Sequence, residues 1–178
     1  MHLSARKKRH LVIDLLVILL LIALDQVTKY LAVLYLKDQD AIRLIPGVLE
    51  LTFLKNNGAA FGILQNQKVF FIMIAVLILV VIAYVLIRLP EEKRFLSMEF
   101  LLLPIAAGAA GNMIDRIRHD YVVDFISFII INFPVFNVAD IYITVATFIF
   151  VILFLFFYEE RDFNFLTFRQ QHKYRGFK

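Results

Sequence analysis

The chain has 178 residues, 61% of them hydrophobic, a formal net charge of +4 and no cysteine. A soluble domain of this size cannot hide so much apolar surface, so lipid is the solvent for most of the chain. Without cysteine there are no disulfides, no thiolate catalysis and no Cys-based metal sites; without HExxH, paired histidines or a Gly-rich phosphate loop, zinc hydrolysis and nucleotide binding are not expected.

The N-terminal tail carries Arg6, Lys7, Lys8 and Arg9 ahead of an apolar run. That pattern imitates a signal peptide, but the run is too long and continues into Asp25-Gln26-Val27-Thr28-Lys29 with no small-residue cleavage site. It reads as a retained first span from about Leu11 to Leu36, interrupted by Asp14, Asp25 and Lys29. Asp25 and Lys29 stand four apart and share a helical face. They form either an ion pair that neutralises two costly charges or part of a functional cluster, and the two readings are compatible.

The segment 37–68 does not span. Leu49-Glu50-Leu51-Thr52-Phe53 alternates apolar and polar, a strand signal, after a turn at Pro46-Gly47. A small extracytoplasmic sheet at the interface is expected. Next comes Lys55-Asn56-Asn57-Gly58-Ala59-Ala60-Phe61-Gly62. Asn-Gly is a strong hairpin signal, and the small residues after it would let backbones approach closely. The alternative is an Asn side chain aimed at a peptide or headgroup.

Val69 to Ile87 is an uncharged second span, close to the ~20 residues that cross a bilayer. A third runs from about Phe95 to Ile114, with Glu99 near its start and Pro104 as an expected kink. It ends in Gly108-Ala109-Ala110-Gly111-Asn112-Met113-Ile114-Asp115-Arg116. The small residues admit a second helix, and Asn112, Asp115 and Arg116 can share one face. They are an interfacial anchor or a polar cluster at membrane depth. The fourth span, from Ile141 to Tyr158, is uncharged, with Asp140 at its head.

Two aspartates sit in apolar company. Asp124 lies in Tyr121-Val122-Val123-Asp124-Phe125-Ile126 and Asp140 in Phe136-Asn137-Val138-Ala139-Asp140-Ile141. The mostly apolar stretch from Phe125 to Phe133 between them, broken by Ser127 and Asn132, is expected to lie along the interface. An ionisable group at membrane depth is a functional-site hypothesis by default. Either the chain, which has Pro134 between the two, turns back and joins them, or they are headgroup-level acids that never meet. If they meet, they share a proton. One carboxylate takes a proton from water, the other hydrogen-bonds a scissile carbonyl, and the roles exchange to protonate the leaving amine. A proton relay is the competing membrane function, but the inverted repeats of a transporter are not visible. A scaffold whose polar residues only join helices would not require both acids, and the Tyr-Asp and Gly-x-Gly-Asp motifs of presenilin-type proteases are missing.

Twelve Lys and Arg flank the N-terminus, the connection between spans two and three, and the C-terminus; six lie on the other side. Both termini are therefore expected in the cytoplasm and both acids near the opposite face. The basic residues meet anionic lipid. No basic face with interleaved aromatics points to nucleic acid. The expected architecture is all-α: four transmembrane helices with a small extracytoplasmic β-sheet, in one domain over residues 1–178.

Five segments, in order, resemble the lipoprotein signal peptidases (signal peptidase II) of bacteria: Asp25-Gln26-Val27-Thr28-Lys29, Asn56-Asn57-Gly58-Ala59-Ala60-Phe61, Gly111-Asn112-Met113-Ile114-Asp115-Arg116, Val122-Val123-Asp124-Phe125 and Phe136-Asn137-Val138-Ala139-Asp140. The resemblance implies an aspartic endopeptidase of the bacterial inner membrane. It would cut just before a lipobox cysteine that already carries a diacylglyceryl group, and it would need no metal or other cofactor. Asp124 and Asp140 would be its catalytic dyad. Asn56, Asn112, Arg116 and Asn137 match polar positions around the substrate; Asp25, Lys29, Gly58 and Asp115 match structural or supporting ones. The cyclic peptide globomycin would occupy the same site, and a monomer suffices. One departure is Asp120, where the family usually has glycine. Aspartate tolerates left-handed geometry better than most residues. The tail beyond Tyr158 matches no family feature.

Overall fold

In a computed structural model, residues 3–58, 67–131 and 133–167 are described. Among these residues four helices are long and apolar enough to cross a membrane: α1 (Ala5–Leu36), α2 (Lys68–Arg88), α3 (Leu96–His119, entered through a 3-10 turn at Lys93–Phe95) and α4 (Val138–Phe156). At about 1.5 Å per residue, the 32 residues of α1 exceed the ~30 Å of hydrocarbon, so α1 projects from the bilayer. Large apolar side chains such as Leu20, Val69, Phe100 and Phe148 cover the outer faces, as lipid requires.

The least apolar span, α3, is the axis against which α1, α2 and α4 pack. Its stretch from Ala106 to Gly111 is buried all round and built of Ala and Gly alone. A methyl group at Gly108 would run into the Ala139 carbonyl of α4, and one at Gly111 into the Asp25 carboxylate of α1. Only glycine allows three helices this close.

At one end of the bundle lies a three-stranded antiparallel sheet, β1 (Ile42–Ile45), β2 (Leu49–Asn56) and β3 (Val122–Phe128), in the order β1-β2-β3. The β1–β2 turn is made by Pro46-Gly47, with Gly47 at φ +74°. β2 pairs with β3 in a register that sets Leu54 against Asp124 and Asn56 against Val122. Val123 and Phe125 pack with Ala32 and Leu36, joining the sheet to α1. The other end gathers the start of α1, the α2–α3 connection and the last described segment. Ser4 Oγ donates to Glu91 (2.5 Å), Arg94 donates to Asp162 (2.6 Å), and Arg88 donates to the Phe165 carbonyl (2.7 Å) of the 3-10 segment Glu160–Leu166. An apolar core of Leu86, Leu89, Phe95, Met98, Leu103 and Tyr158 lies beneath these contacts.

Several expectations change. α1 begins at Ala5, α3 continues five residues past Ile114, and α4 begins at Val138, so Asp140 lies inside its first turn. The first half of the Phe125–Phe133 stretch belongs to strand β3. Among the described residues Asn57-Gly58 joins no two strands: β2 ends at Asn56, and its second partner is β3, beyond α2 and α3. The small residues Ala59–Gly62, Asn132 and the tail after Thr167 lie outside the described residues.

Candidate active site

Strand and helix meet where β3 turns back. The Phe125 and Ile126 N–H groups both donate to the Phe136 carbonyl (3.0 and 2.9 Å), and the Phe136 N–H donates to Ile126 (3.0 Å). This short pairing lays Asn137 beside Asp124. Asn137 is the N-cap of α4: its Oδ1 accepts from the Asp140 N–H (3.0 Å), and Asp140 Oδ2 accepts from the Asn137 N–H (3.1 Å). The reciprocal pair is a capping box with aspartate in the usual Glu/Gln place. It fixes Asp140 at the positive end of the α4 dipole, where negative charge is favoured.

The Asn137 cap has a second function. Its Nδ2 donates to Asp124 Oδ1 (2.6 Å) and to Asn112 Oδ1 (3.2 Å), while Asn112 Nδ2 donates to Asp140 Oδ1 (2.8 Å). Two amides thus tie the two carboxylates together. Asn56 Nδ2, from the end of β2, donates to the other oxygen of Asp124 (2.8 Å), and Asn56 Oδ1 accepts from the Gly58 N–H (2.9 Å). Arg116, one turn beyond Asn112 on α3, donates to the Gly58 carbonyl (3.1 Å) and lies over the Phe71 ring at 4.5 Å. Asp124 and Asn137 are almost wholly buried. Burial, then the neighbouring Asp140 charge, push the Asp124 carboxyl up to about 7, against the opposing pull of Asn56, Asn137 and Lys29.

Behind this layer lies an ion triplet. Lys29 Nζ is 3.0 Å from Asp25 Oδ2 and 3.0 Å from Asp115 Oδ2, and it donates to Asn112 Oδ1 (2.9 Å). All three charged side chains are buried. Gln26 Nε2 adds a donor to Asp115 Oδ1 (2.9 Å). The structure therefore places Asp25, Lys29 and Asp115 one shell behind Asn112, and Asn56, Gly58, Asn112, Arg116, Asp124 and Asp140 around one cavity of about 510 Å³.

Half of that cavity is apolar: Phe71 of α2, Phe133 and Phe136 before α4, and Ile141 and Val145 on α4, with Thr144 among them. Sequence reasoning missed all of these and missed Gln26. Thr144 is a hydroxyl on the uncharged fourth span, and Gln26 and Phe136 belong to the Asp25–Lys29 and Phe136–Asp140 segments, so these three left a faint signal; Phe71 or Phe133, one phenylalanine among many apolar neighbours, leaves none.

A multi-pass membrane protein with two carboxylates on one half-apolar cavity is the class that fold and site define. The family model described as signal peptidase (SPase) II matches residues 17–156. A lipoprotein signal peptidase from Brevibacillus brevis is 47% identical over 133 residues, covering 74% of this chain and 87% of its own. One from Streptococcus pyogenes serotype M1 is 40% identical over 158 residues, covering 89% and 99%. A solved bacterial membrane enzyme superposes with a TM-score of 0.72 at 34% identity, over 88% of this chain and 93% of that one. The chain belongs to the signal peptidase II family, a family of membrane proteases.

Proposed function

We propose that this chain removes the signal peptide from diacylglyceryl-modified prolipoproteins, with Asp124 and Asp140 as its catalytic dyad. The observation that carries this reading is the amide bridge: the Asn137 and Asn112 side chains bond to each other and link Asp124 to Asp140, and both carboxylates line a single cavity. Two acids so placed titrate as a pair. Asp124 holds the shared proton, in keeping with a carboxyl pushed up to about 7. Asp140 takes a proton from water as the resulting hydroxide attacks the scissile carbonyl carbon. Asp124 gives its proton to the carbonyl oxygen, leaving a gem-diol. Collapse of the gem-diol returns a hydroxyl proton to Asp124, breaks the C–N bond, and passes the Asp140 proton to the leaving amine. Both products leave with the dyad ready for a second water.

The apolar half of the cavity suits the lipid part of the substrate. α2 and α4 flank α3 without packing extensively on each other. Phe71, Ile141 and Val145 line the cavity from those two helices, so acyl chains have an apolar route from the bilayer. Arg116 and Asn56 are placed to meet peptide carbonyls, and a cyclic peptide of the globomycin type would compete for the same groups. The reading places the sheet and the cavity on the extracytoplasmic side of the bacterial inner membrane, and one chain, as a single domain over residues 1–178, supplies every group.

Asp124→Asn and Asp140→Asn keep side-chain shape and remove the titratable pair. Each is expected to lower cleavage of a lipidated preprolipoprotein by at least about 100-fold, with expression and membrane insertion unchanged. Full activity in either variant would remove the dyad.

A further inference from the structure

The ion triplet contacts the backbone at two further points. Asp115 Oδ2 accepts from the Val123 N–H (3.1 Å), and Asp25 Oδ1 accepts from the Ala139 N–H (3.0 Å). Val123 immediately precedes Asp124, and Ala139 immediately precedes Asp140. Lys29 lies between the two acceptors at 3.0 Å from each. Its third contact fixes the Asn112 amide with oxygen toward Lys29 and Nδ2 toward Asp140. An ion pair that merely neutralised two charges would need none of these contacts.

We propose that Asp25, Lys29 and Asp115 form a positioning clamp: each carboxylate holds the residue before one dyad aspartate, and the ammonium between them sets the spacing of the dyad. The proposal rests on the reading of Asp124 and Asp140 as that dyad. β3 and α4 are separate elements joined by a turn, and without a common anchor either could move against the other. The anchor is common because one cation grips both acceptors. It is protected because Gly111 leaves room for Asp25, where any side chain would intrude. None of the three is expected to touch substrate, since all are buried behind Asn112.

The test uses the full chain in detergent micelles with a diacylglyceryl-modified preprolipoprotein peptide. Turnover is measured per folded molecule, as judged by size-exclusion elution and melting. Asp115→Ala removes the acceptor for Val123; Asp115→Asn can keep one. The clamp predicts that kcat falls about tenfold or more in Asp115→Ala with KM within about twofold, since a misplacement near 1 Å can cost about 100-fold, and that Asp115→Asn recovers most of it. Lys29→Met has a separate signature. The groups facing Asp124 are Asp140, Lys29 and Arg116, with Asn56 and Asn137 bonded to it. Removing the Lys29 charge raises the Asp124 carboxyl further, so the alkaline limb of the pH–rate profile moves upward while kcat falls. A role in folding alone would lower the yield and leave turnover and the limb unchanged. Unaltered kcat and limb in whichever variants fold overturn the clamp, and so does failure of both Asp115→Ala and Lys29→Met to fold, which assigns the triplet to folding. Asp124→Asn runs in parallel. If it is active, the dyad reading falls and takes the clamp with it; if it is inactive beside fully active clamp variants, only the clamp falls.

Discussion

Both oxygens of Asp124 accept amide N–H groups, one from Asn56 and one from Asn137, yet its carboxyl stands near 7 because burial and the Asp140 charge outweigh those donors. Asn56 therefore acts as a brake on the proton affinity of the proposed dyad. Its N–H stabilises the ionised form, so Asn56→Ala raises the Asp124 carboxyl above 7. If the active enzyme needs that proton, the alkaline limb of kcat/KM moves to higher pH, by about one unit for a hydrogen bond to a charged group. A limb that stays in place, or moves down, would show that Asp124 is not the proton holder. The two aspartates were legible in the sequence because a carboxyl in an apolar run is expensive and so needs a reason. Their union was not, because it depends on Asn137 serving α4 with its oxygen and Asp124 with its nitrogen. The cap is a local feature, readable as Asn followed three residues later by an acid; the bridge needs a strand brought from elsewhere.

The turn between α3 and β3 is the element on which that bridge depends. Asp120 closes α3 in the left-handed region at φ +69°, donating its N–H to the Arg116 carbonyl (3.2 Å). Glycine adopts this geometry without strain. Here the aspartate adds an ion pair with Lys68 at the start of α2 (2.6 Å), but its own side chain is mostly exposed, and such pairs contribute at most about 1 kcal/mol. The two effects nearly cancel in Asp120→Gly, which is expected to melt close to the unmodified protein. Asp120→Val loses the pair and places a β-branched residue in left-handed geometry, at a cost of roughly 1–2 kcal/mol, read as a lower melting temperature in detergent. Equal melting of the glycine and valine variants would contradict the strain argument. At this scale the helices were plain in the sequence and β3 was not. Val122 to Phe125 is buried throughout, so it lacks the polar–apolar alternation that marked β2. A short apolar run without a period is ambiguous between strand, helix and interfacial segment.

Across the described residues, one end of the bundle collects the cavity and the sheet, and the other collects the start of α1, the α2–α3 connection and the Glu160–Leu166 segment, tied by Ser4–Glu91 and Arg94–Asp162. The spans were legible from apolar run length, but their packing order was not: hydropathy ranks α3 as the poorest span, and it is poor because its neighbours are protein. Four crossings by the described helices would put both ends in one compartment, and the uneven distribution of Lys and Arg is the ground for proposing which. Twelve such residues flank the N-terminus, the α2–α3 connection and the C-terminus in the sequence, against six in the other connections, and on that bias we propose that the terminal end faces the cytoplasm. The absence of cysteine makes this directly measurable, because each introduced thiol is the only one. Asp40→Cys beside the sheet is expected to react with a membrane-impermeant maleimide in intact spheroplasts. Ser4→Cys and Glu92→Cys should react only after permeabilisation; all three positions are exposed. The reverse pattern would turn the protein over in the membrane. It would put the carboxylates in the cytoplasm, on the side where a translocated prolipoprotein no longer presents its cleavage site.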